Sequence, residues 1–402
     1  MPEAMIYDGL RTPFGRHAGS LAPVRPDDLL AGLIARLLAK NRFPLEEIED
    51  VVIGCTNQAG EDARNVARHA LLLAGVPERA GGVTVNRLCG SGLSAIADAA
   101  RAVRCGEGEF FVAGGVEVMS RAPFVTAKAT SAYSREVSVF DSTIGARFPN
   151  PKVEAEFGAD TMPETADNLA ADLGIRRDAS DRFAVRSQEK YEAARASGFF
   201  SGEIAPVEVP QGRGKPPAIV SADEHPRPQT TLAALEKLKP LFQGGVVTAG
   251  NASGINDGAA ALLIGSREIG ERFGVRPRGR VVAAAIAGVP PRVMGLGPVP
   301  AAKKALQRAG LPLASMDLIE INEAFATQVL ACLVGLDLAP DDPRLNPNGG
   351  AIAVGHPLGA SGARLALTAL RQLERIDGRY GLVAMCIGVG QGVAAVIERV
   401  KL

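Results

Sequence analysis

Over residues 1–120 short apolar runs alternate with stretches of helical spacing. Val51-Val52-Ile53-Gly54, Val83-Thr84-Val85 and Phe110-Phe111-Val112-Ala113 are short and lie near glycines, as buried strands are. Leu29–Lys40 and Ser94–Val103 place apolar residues at three- and four-residue intervals, the helical period. The alternation predicts βαβ units around a mainly parallel sheet. From 121 to 245 the pattern changes to polar residues, charges and prolines, as in Arg147-Phe148-Pro149-Asn150-Pro151 and Asp223-Glu224-His225-Pro226-Arg227-Pro228. One amphipathic helix is predicted there, over Asp178–Ser197, and few strands. The stretch is longer than a simple connection, which predicts a separate, loop-rich domain. Alternation resumes at Gly245 and runs to the end.

The pattern also repeats. Cys89-Gly90-Ser91-Gly92 opens a predicted helix that leads to the strand Phe111-Val112-Ala113-Gly114-Gly115. His356-Pro357-Leu358-Gly359-Ala360-Ser361-Gly362 opens another, leading to Leu382-Val383-Ala384-Met385-Cys386 at almost the same spacing. Duplication of one α/β unit would place Cys89 and His356 near corresponding helix starts.

Composition narrows the class. The 402 residues are 47% hydrophobic, enough for a sizeable core and for two or three domains. The 44 basic and 44 acidic residues balance, and without a long basic run nucleic acid is a poor partner. The five cysteines (Cys55, Cys89, Cys105, Cys332 and Cys386) are scattered and never spaced CxxC, so neither a disulfide framework nor a metal site is expected. No apolar run approaches the roughly 20 residues of a membrane span. The first residues enter a strand-like run without a signal peptide, and Val400-Lys401-Leu402 lacks the serine of a peroxisomal tripeptide, so the expectation is a cytoplasmic enzyme.

Cys89 taken alone reads as one more buried cysteine. Its surroundings favour chemistry: a strand-to-helix turn flanked by glycines admits a substrate, and a helix N-terminus favours a thiolate. A free thiol, with pKa about 8.5, is only slightly ionised near neutrality and needs a base. Among four histidines, His356 lies in the glycine-lined Asn348–Pro357 segment and is the candidate. Cys386-Ile387-Gly388-Val389-Gly390 follows an apolar run, and Asn322-Glu323-Ala324-Phe325-Ala326 follows Leu318-Ile319-Glu320-Ile321; each is unremarkable on its own.

Together, Asn86–Gly92, Val247–Gly254, Asn322–Ala326, Gly355–Pro357 and Cys386–Gly390 resemble, in order and spacing, the motifs of the thiolase family along essentially the whole chain. The resemblance implies a five-layered αβαβα fold of two duplicated halves, divided as residues 1–120 with 246–270, an inserted loop domain over 121–245, and 271–402. It implies an acyltransferase that makes or breaks a carbon–carbon bond, with Cys89 carrying the acyl group, His356 as its base, and Cys386 as acid and base at the α-carbon. One oxyanion hole would come from His356 and a water held by Asn322, the other from the backbone N–H groups of Cys89 and Gly388. Ser253 and Arg227 match positions that contact coenzyme A, and Met162, Met294 and Phe325 match the lining of the acyl pocket. Coenzyme A and acetyl-CoA are implied as substrates, with no permanently bound cofactor and no metal. Family members are usually dimers or tetramers, and a homotetramer is expected.

Asn57–Asp62, Ser120–Phe124, Asp141–Gly145, Met162–Thr165 and Pro291–Gly295 are more similar to the 3-oxoadipyl-CoA thiolases of aromatic-compound degradation than to acetoacetyl-CoA thiolases. Gly90 departs from that subgroup, which more often has alanine, and keeps acetoacetyl-CoA as the alternative substrate. A substrate ending in a carboxylate needs a partner for that charge. Arg147 is the candidate, set against its reading as a solvated loop arginine.

Overall fold

The computed structural model describes residues 2–401; Leu402, the last residue of the C-terminal tripeptide, lies outside them. The apolar runs form strands at Asp50–Gly54, Gly81–Val85 and Phe110–Val118, and the helical stretches form helices at Pro26–Ala39, Ser91–Cys105 and Arg177–Ala196. Among the described residues no helix is long and apolar enough to cross a membrane.

The expected mainly parallel sheet is corrected. The sheet is mixed, and most of its strand pairs are antiparallel. Among the described strands, parallel ladders join Asp50–Gly54 to its neighbours Gly81–Val85 and Phe110–Val118, and Leu318–Ile321 to Tyr380–Ile387. Asn256–Gly265 runs antiparallel between Met5–Arg11 and Phe110–Val118, and Gln391–Arg399 runs antiparallel between Tyr380–Ile387 and Gly279–Gly288. An apolar run reports burial on both faces and says nothing about direction. The short link from Ile387 to Gln391, in contrast, permits only a hairpin.

Strand order displays the duplication. In the first half Met5–Arg11, Asp50–Gly54, Gly81–Val85, Phe110–Val118 and Asn256–Gly265 stand in the spatial order third, second, fourth, fifth, first. The second half repeats it with Gly279–Gly288, Leu318–Ile321, Tyr380–Ile387 and Gln391–Arg399, and Leu345 makes one parallel bridge to Ile319 where the third strand belongs. The halves join edge to edge at Met5 with Arg280 and Ile6 with Gly279. Three apolar clusters separate five layers. One packs Pro26–Ala39 and Val66–Leu73 on the outer face of the first half, and another packs Pro298–Ala309 and Ala326–Leu336 on the outer face of the second. Between the halves lie Ser91–Cys105 and Leu358–Arg375, with Leu93, Ile96 and Val103 against Ala363, Leu367 and Leu370.

These two central helices touch through backbone. A β-carbon on Gly92 would lie 2.5 Å from the Gly359 carbonyl oxygen, one on Gly362 would strike the Leu93 amide, and one on Gly115 would collide with the same Gly359 oxygen. Gly115→Ala is therefore expected to lower stability by about 3 kcal/mol, because backbone rather than a movable side chain opposes it. Gly32→Ala is the control: nothing lies within 4 Å of its added carbon, and a gain of up to about 1 kcal/mol is expected in the Pro26–Ala39 helix. Thermal denaturation of both variants checks this, and an unchanged midpoint for Gly115→Ala would contradict the crossing.

Candidate active site

Cys89 sits between the end of Gly81–Val85 and the start of Ser91–Cys105. The turn is tight enough to put Leu88 at φ 45°, a left-handed conformation that costs a leucine about 1 kcal/mol or more. Side chains brace it: Asn86 Oδ1 accepts from Leu88 N at 2.9 Å, and Ser91 Oγ accepts from Arg87 N at 2.8 Å while donating to Leu88 O at 2.6 Å. The residue as a whole is half-buried. Burial pushes its thiol up to about 11, against the backbone amides of Gly388 and of Cys89 itself, which face the sulfur and pull it down. The thiolate favoured by a helix start alone is thus outweighed by desolvation at rest.

His356 reaches the same region from the other central helix. Gly355 holds φ 102°, and the His356 amide donates to Asn256 Oδ1 at 2.8 Å. Ser361 Oγ lies 2.6 Å from Nδ1 and spends its own hydrogen on Pro357 O at 2.9 Å. The hydroxyl must therefore accept from Nδ1–H, leaving the lone pair on Nε2. The Asn322 amide nitrogen stands 3.4 Å from Nε2, while Asn322 Oδ1 is buried with no hydrogen-bond partner among the described residues. Burial first, then the Arg364 charge, push the imidazole down to about 3, so it is neutral near pH 7 and free to accept a proton.

Cys386 lies inside Tyr380–Ile387, paired with Gly392, and is 2% exposed. Burial first, then the charges of Cys89 and Cys332, push its thiol well above the ordinary range. It shares an apolar cluster with Met294 and Phe325, packed by Met162, Ala166, Val247 and Ala252. Met162 approaches the hairpin too, its sulfur 3.6 Å from where a β-carbon on Gly388 would stand. The hairpin turns through Val389 at φ 62° and Gly390, which leaves the Gly388 amide open toward Cys89.

The structure thus brings Cys89 together with Gly388, His356 with Asn322, and Cys386 with Met162, Met294 and Phe325. Ser253 is half-buried, its amide bonded to Ala324 O at 2.9 Å beside the Ala252–Phe325 bridge, so it borders that pocket. Arg227 is exposed, its amide bonded to Gln188 Oε1 at 2.8 Å. Arg147 lies in the 121–245 segment, where Nη2 donates to Ser142 O at 2.7 Å and its charge faces Asp62. Sequence reasoning missed Ser361 and Asn256. Ser361 stood five positions after His356 in a quoted segment, whereas Asn256 gave no signal at all.

At pH 8 iodoacetamide is expected to modify Cys89 roughly tenfold or more faster than Cys386, because the thiol of a half-buried residue is reachable and one inside a strand is not. A thiol held up toward about 11 also predicts a Cys89 rate that keeps rising from pH 7 to pH 9. Peptide mass spectrometry reads each cysteine separately; equal rates, or a flat Cys89 profile, would contradict the geometry.

Comparison with known proteins identifies the family. The family model described as "Thiolase, N-terminal domain" matches residues 4–268, and "Thiolase, C-terminal domain" matches 275–399. The chain is 57% identical over 402 residues to the beta-ketoadipyl-CoA thiolase of Escherichia coli, covering 100% of both chains. It is 45% identical over 404 residues to the acetyl-CoA acetyltransferase of Escherichia coli strain K12, again covering 100% of each. The crystal structure of human mitochondrial 3-ketoacyl-CoA thiolase in complex with CoA superimposes with a TM-score of 0.91 at 38% identity, over 99% of this chain and 98% of that one. By motif, by fold and by full-length similarity, this chain belongs to the thiolase family and is an acyltransferase.

Proposed function

We propose that the enzyme cleaves 3-oxoadipyl-CoA with coenzyme A to give succinyl-CoA and acetyl-CoA. The observation that carries this substrate is the 57% full-length identity to a beta-ketoadipyl-CoA thiolase, against 45% to an acetyl-CoA acetyltransferase that would be expected to share the same chemistry. His356 Nε2 takes the proton of Cys89, and the sulfur attacks the C3 ketone. The C2–C3 bond then breaks, its electrons passing to the enolate of acetyl-CoA, which Cys386 protonates at the α-carbon. The succinyl group remains on Cys89 as a thioester. Coenzyme A gives its proton to the Cys386 thiolate and attacks that thioester; Cys89 leaves and recovers its proton from His356.

Negative charge on oxygen arises twice. The Cys89 and Gly388 amides, already turned to the sulfur, suit the oxyanion at the acylated carbon. His356 and a water on Asn322 suit the enolate oxygen, and the unpartnered Oδ1 supports that role for Asn322. Each such donor contributes about 3 kcal/mol to lowering the barrier. Exposed Arg227 and Ser253 at the pocket border are the coenzyme A contacts of this reading, and the loop domain over 121–245 is where the nucleotide lies. Arg147 is the counter-charge for the substrate carboxylate, supported by a buried Nε without a hydrogen-bond partner.

The paired-substrate assay decides between readings. A higher kcat/KM for thiolysis of 3-oxoadipyl-CoA than of acetoacetyl-CoA is expected; the reverse would make this an acetoacetyl-CoA thiolase. Cys89→Ala should abolish both activities, and Arg147→Ala should reduce only the first, by roughly tenfold or more, as lost charged hydrogen bonds do.

We further infer a cytoplasmic homotetramer. Five free cysteines suit a reducing compartment. Phe124, Tyr133, Val137 and Ile144 are 75%, 100%, 73% and 60% exposed within one stretch, and large apolar side chains so placed suit a contact with another subunit. Light scattering on the purified protein should give four times the 41.7 kDa chain mass, and a monomer would refute this assembly.

A further inference from the structure

Glu320 and Arg364 lie between the two halves and take no part in the chemistry above. Along Leu318–Ile321 the side chains alternate. Ile319 and Ile321 join the outer cluster, so Leu318 and Glu320 face the central helices. Glu320 is 0% exposed and Arg364 2%, and Arg364 Nη1 stands 3.7 Å from Glu320 Oε2. Both Glu320 oxygens, and Arg364 Nε and Nη2, have no hydrogen-bond partner among the described residues. The other charges facing the pair are Glu323, Lys190 and Glu203 on the Glu320 side, and Arg11, Glu203 and Glu323 on the Arg364 side.

Stability does not account for such a pair. Burial pushes the Glu320 carboxyl up to about 8, against the pull of Arg364, and two desolvated ionisable groups held in loose contact are often less stable than apolar residues of similar volume. Their placement supplies the reason. Glu320 comes two residues before Asn322, whose amide stands at His356 Nε2. Arg364 comes three residues after Ser361, on the same face of Leu358–Arg375, and Ser361 takes the hydrogen of His356 Nδ1. The two charges therefore join the strand that controls one ring nitrogen to the helix that controls the other.

We propose that Glu320 and Arg364 are positioning residues for acyl transfer, their buried pair fixing the spacing between Asn322 and Ser361 and so the aim of His356 Nε2. Arg364 also adds to the forces that keep the imidazole neutral. The inference rests on the acyl-transfer reading of the site.

Glu320→Gln keeps the shape and removes a carboxyl that can ionise toward Arg364. Its kcat for thiolysis should fall about tenfold or more, while KM for both substrates stays within about twofold, because neither residue touches substrate. Alkylation of Cys89 by iodoacetamide, followed on its own peptide, should slow in parallel, and Glu320→Asp should recover part of the loss. A folded Glu320→Gln enzyme with wild-type kcat would overturn the proposal, as would a loss of kcat matched by a rise in KM. If Glu320→Gln does not fold, the double variant Glu320→Gln/Arg364→Gln, which leaves no lone buried charge, is read by the same measurements. There too a wild-type kcat refutes positioning, and a lowered kcat at unchanged KM supports it. A wild-type enzyme inactive on every 3-oxoacyl-CoA tested would sink the acyl-transfer reading instead, so the two failures are distinguishable.

Discussion

The structure depends on one close approach, the crossing of Ser91–Cys105 and Leu358–Arg375 through Gly92, Gly359 and Gly362, with Gly115 beneath. Helices packed through side chains keep their axes about 8–10 Å apart. Here backbone meets backbone, so the middle layer is thin and both sheets close onto it. The crossing lies at the N-terminal ends of both helices, three residues beyond Cys89 on one and three beyond His356 on the other. A bulkier contact would separate the halves and, with them, the turn that carries Cys89 from the one that carries His356. Glu117 pins the arrangement from the first half, accepting from the Gly359 amide at 2.9 Å and from Thr56 and Asn57 at 3.0 and 3.1 Å.

Burial around that crossing sets the electrostatics. It raises both thiols and lowers the imidazole, so the same cause drives Cys89, Cys386 and His356 toward their neutral forms. In the proposed reaction the donors for developing charge are the Cys89 and Gly388 amides, His356 and a water on Asn322; the amides and the carboxamide are uncharged and already in place. Such a site binds a neutral ground state without strong attraction and stabilises charge when charge appears, which is the difference that accelerates a reaction. Desolvation of the resting groups is thus consistent with catalysis, since each proton has a fixed acceptor.

How much of this was readable in the chain follows from what sequence encodes locally. Burial on both faces leaves continuous apolar runs, so Asp50–Gly54 and Phe110–Val118 could be placed as strands, while the layered architecture followed only from the family resemblance. Strand direction is set by connections, and the long excursion between Phe110–Val118 and Asn256–Gly265 hid the antiparallel return. Cys89 and His356 were legible because glycine neighbours leave a mark in sequence. Ser361 and Asn256 matter only through contacts that the fold creates, one deciding the tautomer and the other holding the His356 amide. Leu88 illustrates the same limit: a leucine carries no signal for a left-handed turn, and only the surrounding hydrogen bonds impose it.

The duplication also explains why there is one site and not two. Aligning Ser91 and Gly92 with Ser361 and Gly362 places Cys89 opposite Gly359, and the following strands place Gly115 opposite Cys386. Where one half carries a reactive thiol, the other carries a glycine at the crossing. Gly359 offers its carbonyl to Gly92 and Gly115, and neither position has room for a side chain. The two halves therefore cannot both be catalytic while their helices touch. One turn yields its side chain to packing, and the tight packing that results brings the other turn's sulfur to the shared helix ends. The serines kept their places but divided their work: Ser91 closes the turn onto Leu88 O, while Ser361 closes its own onto Pro357 O and in addition fixes the proton on His356.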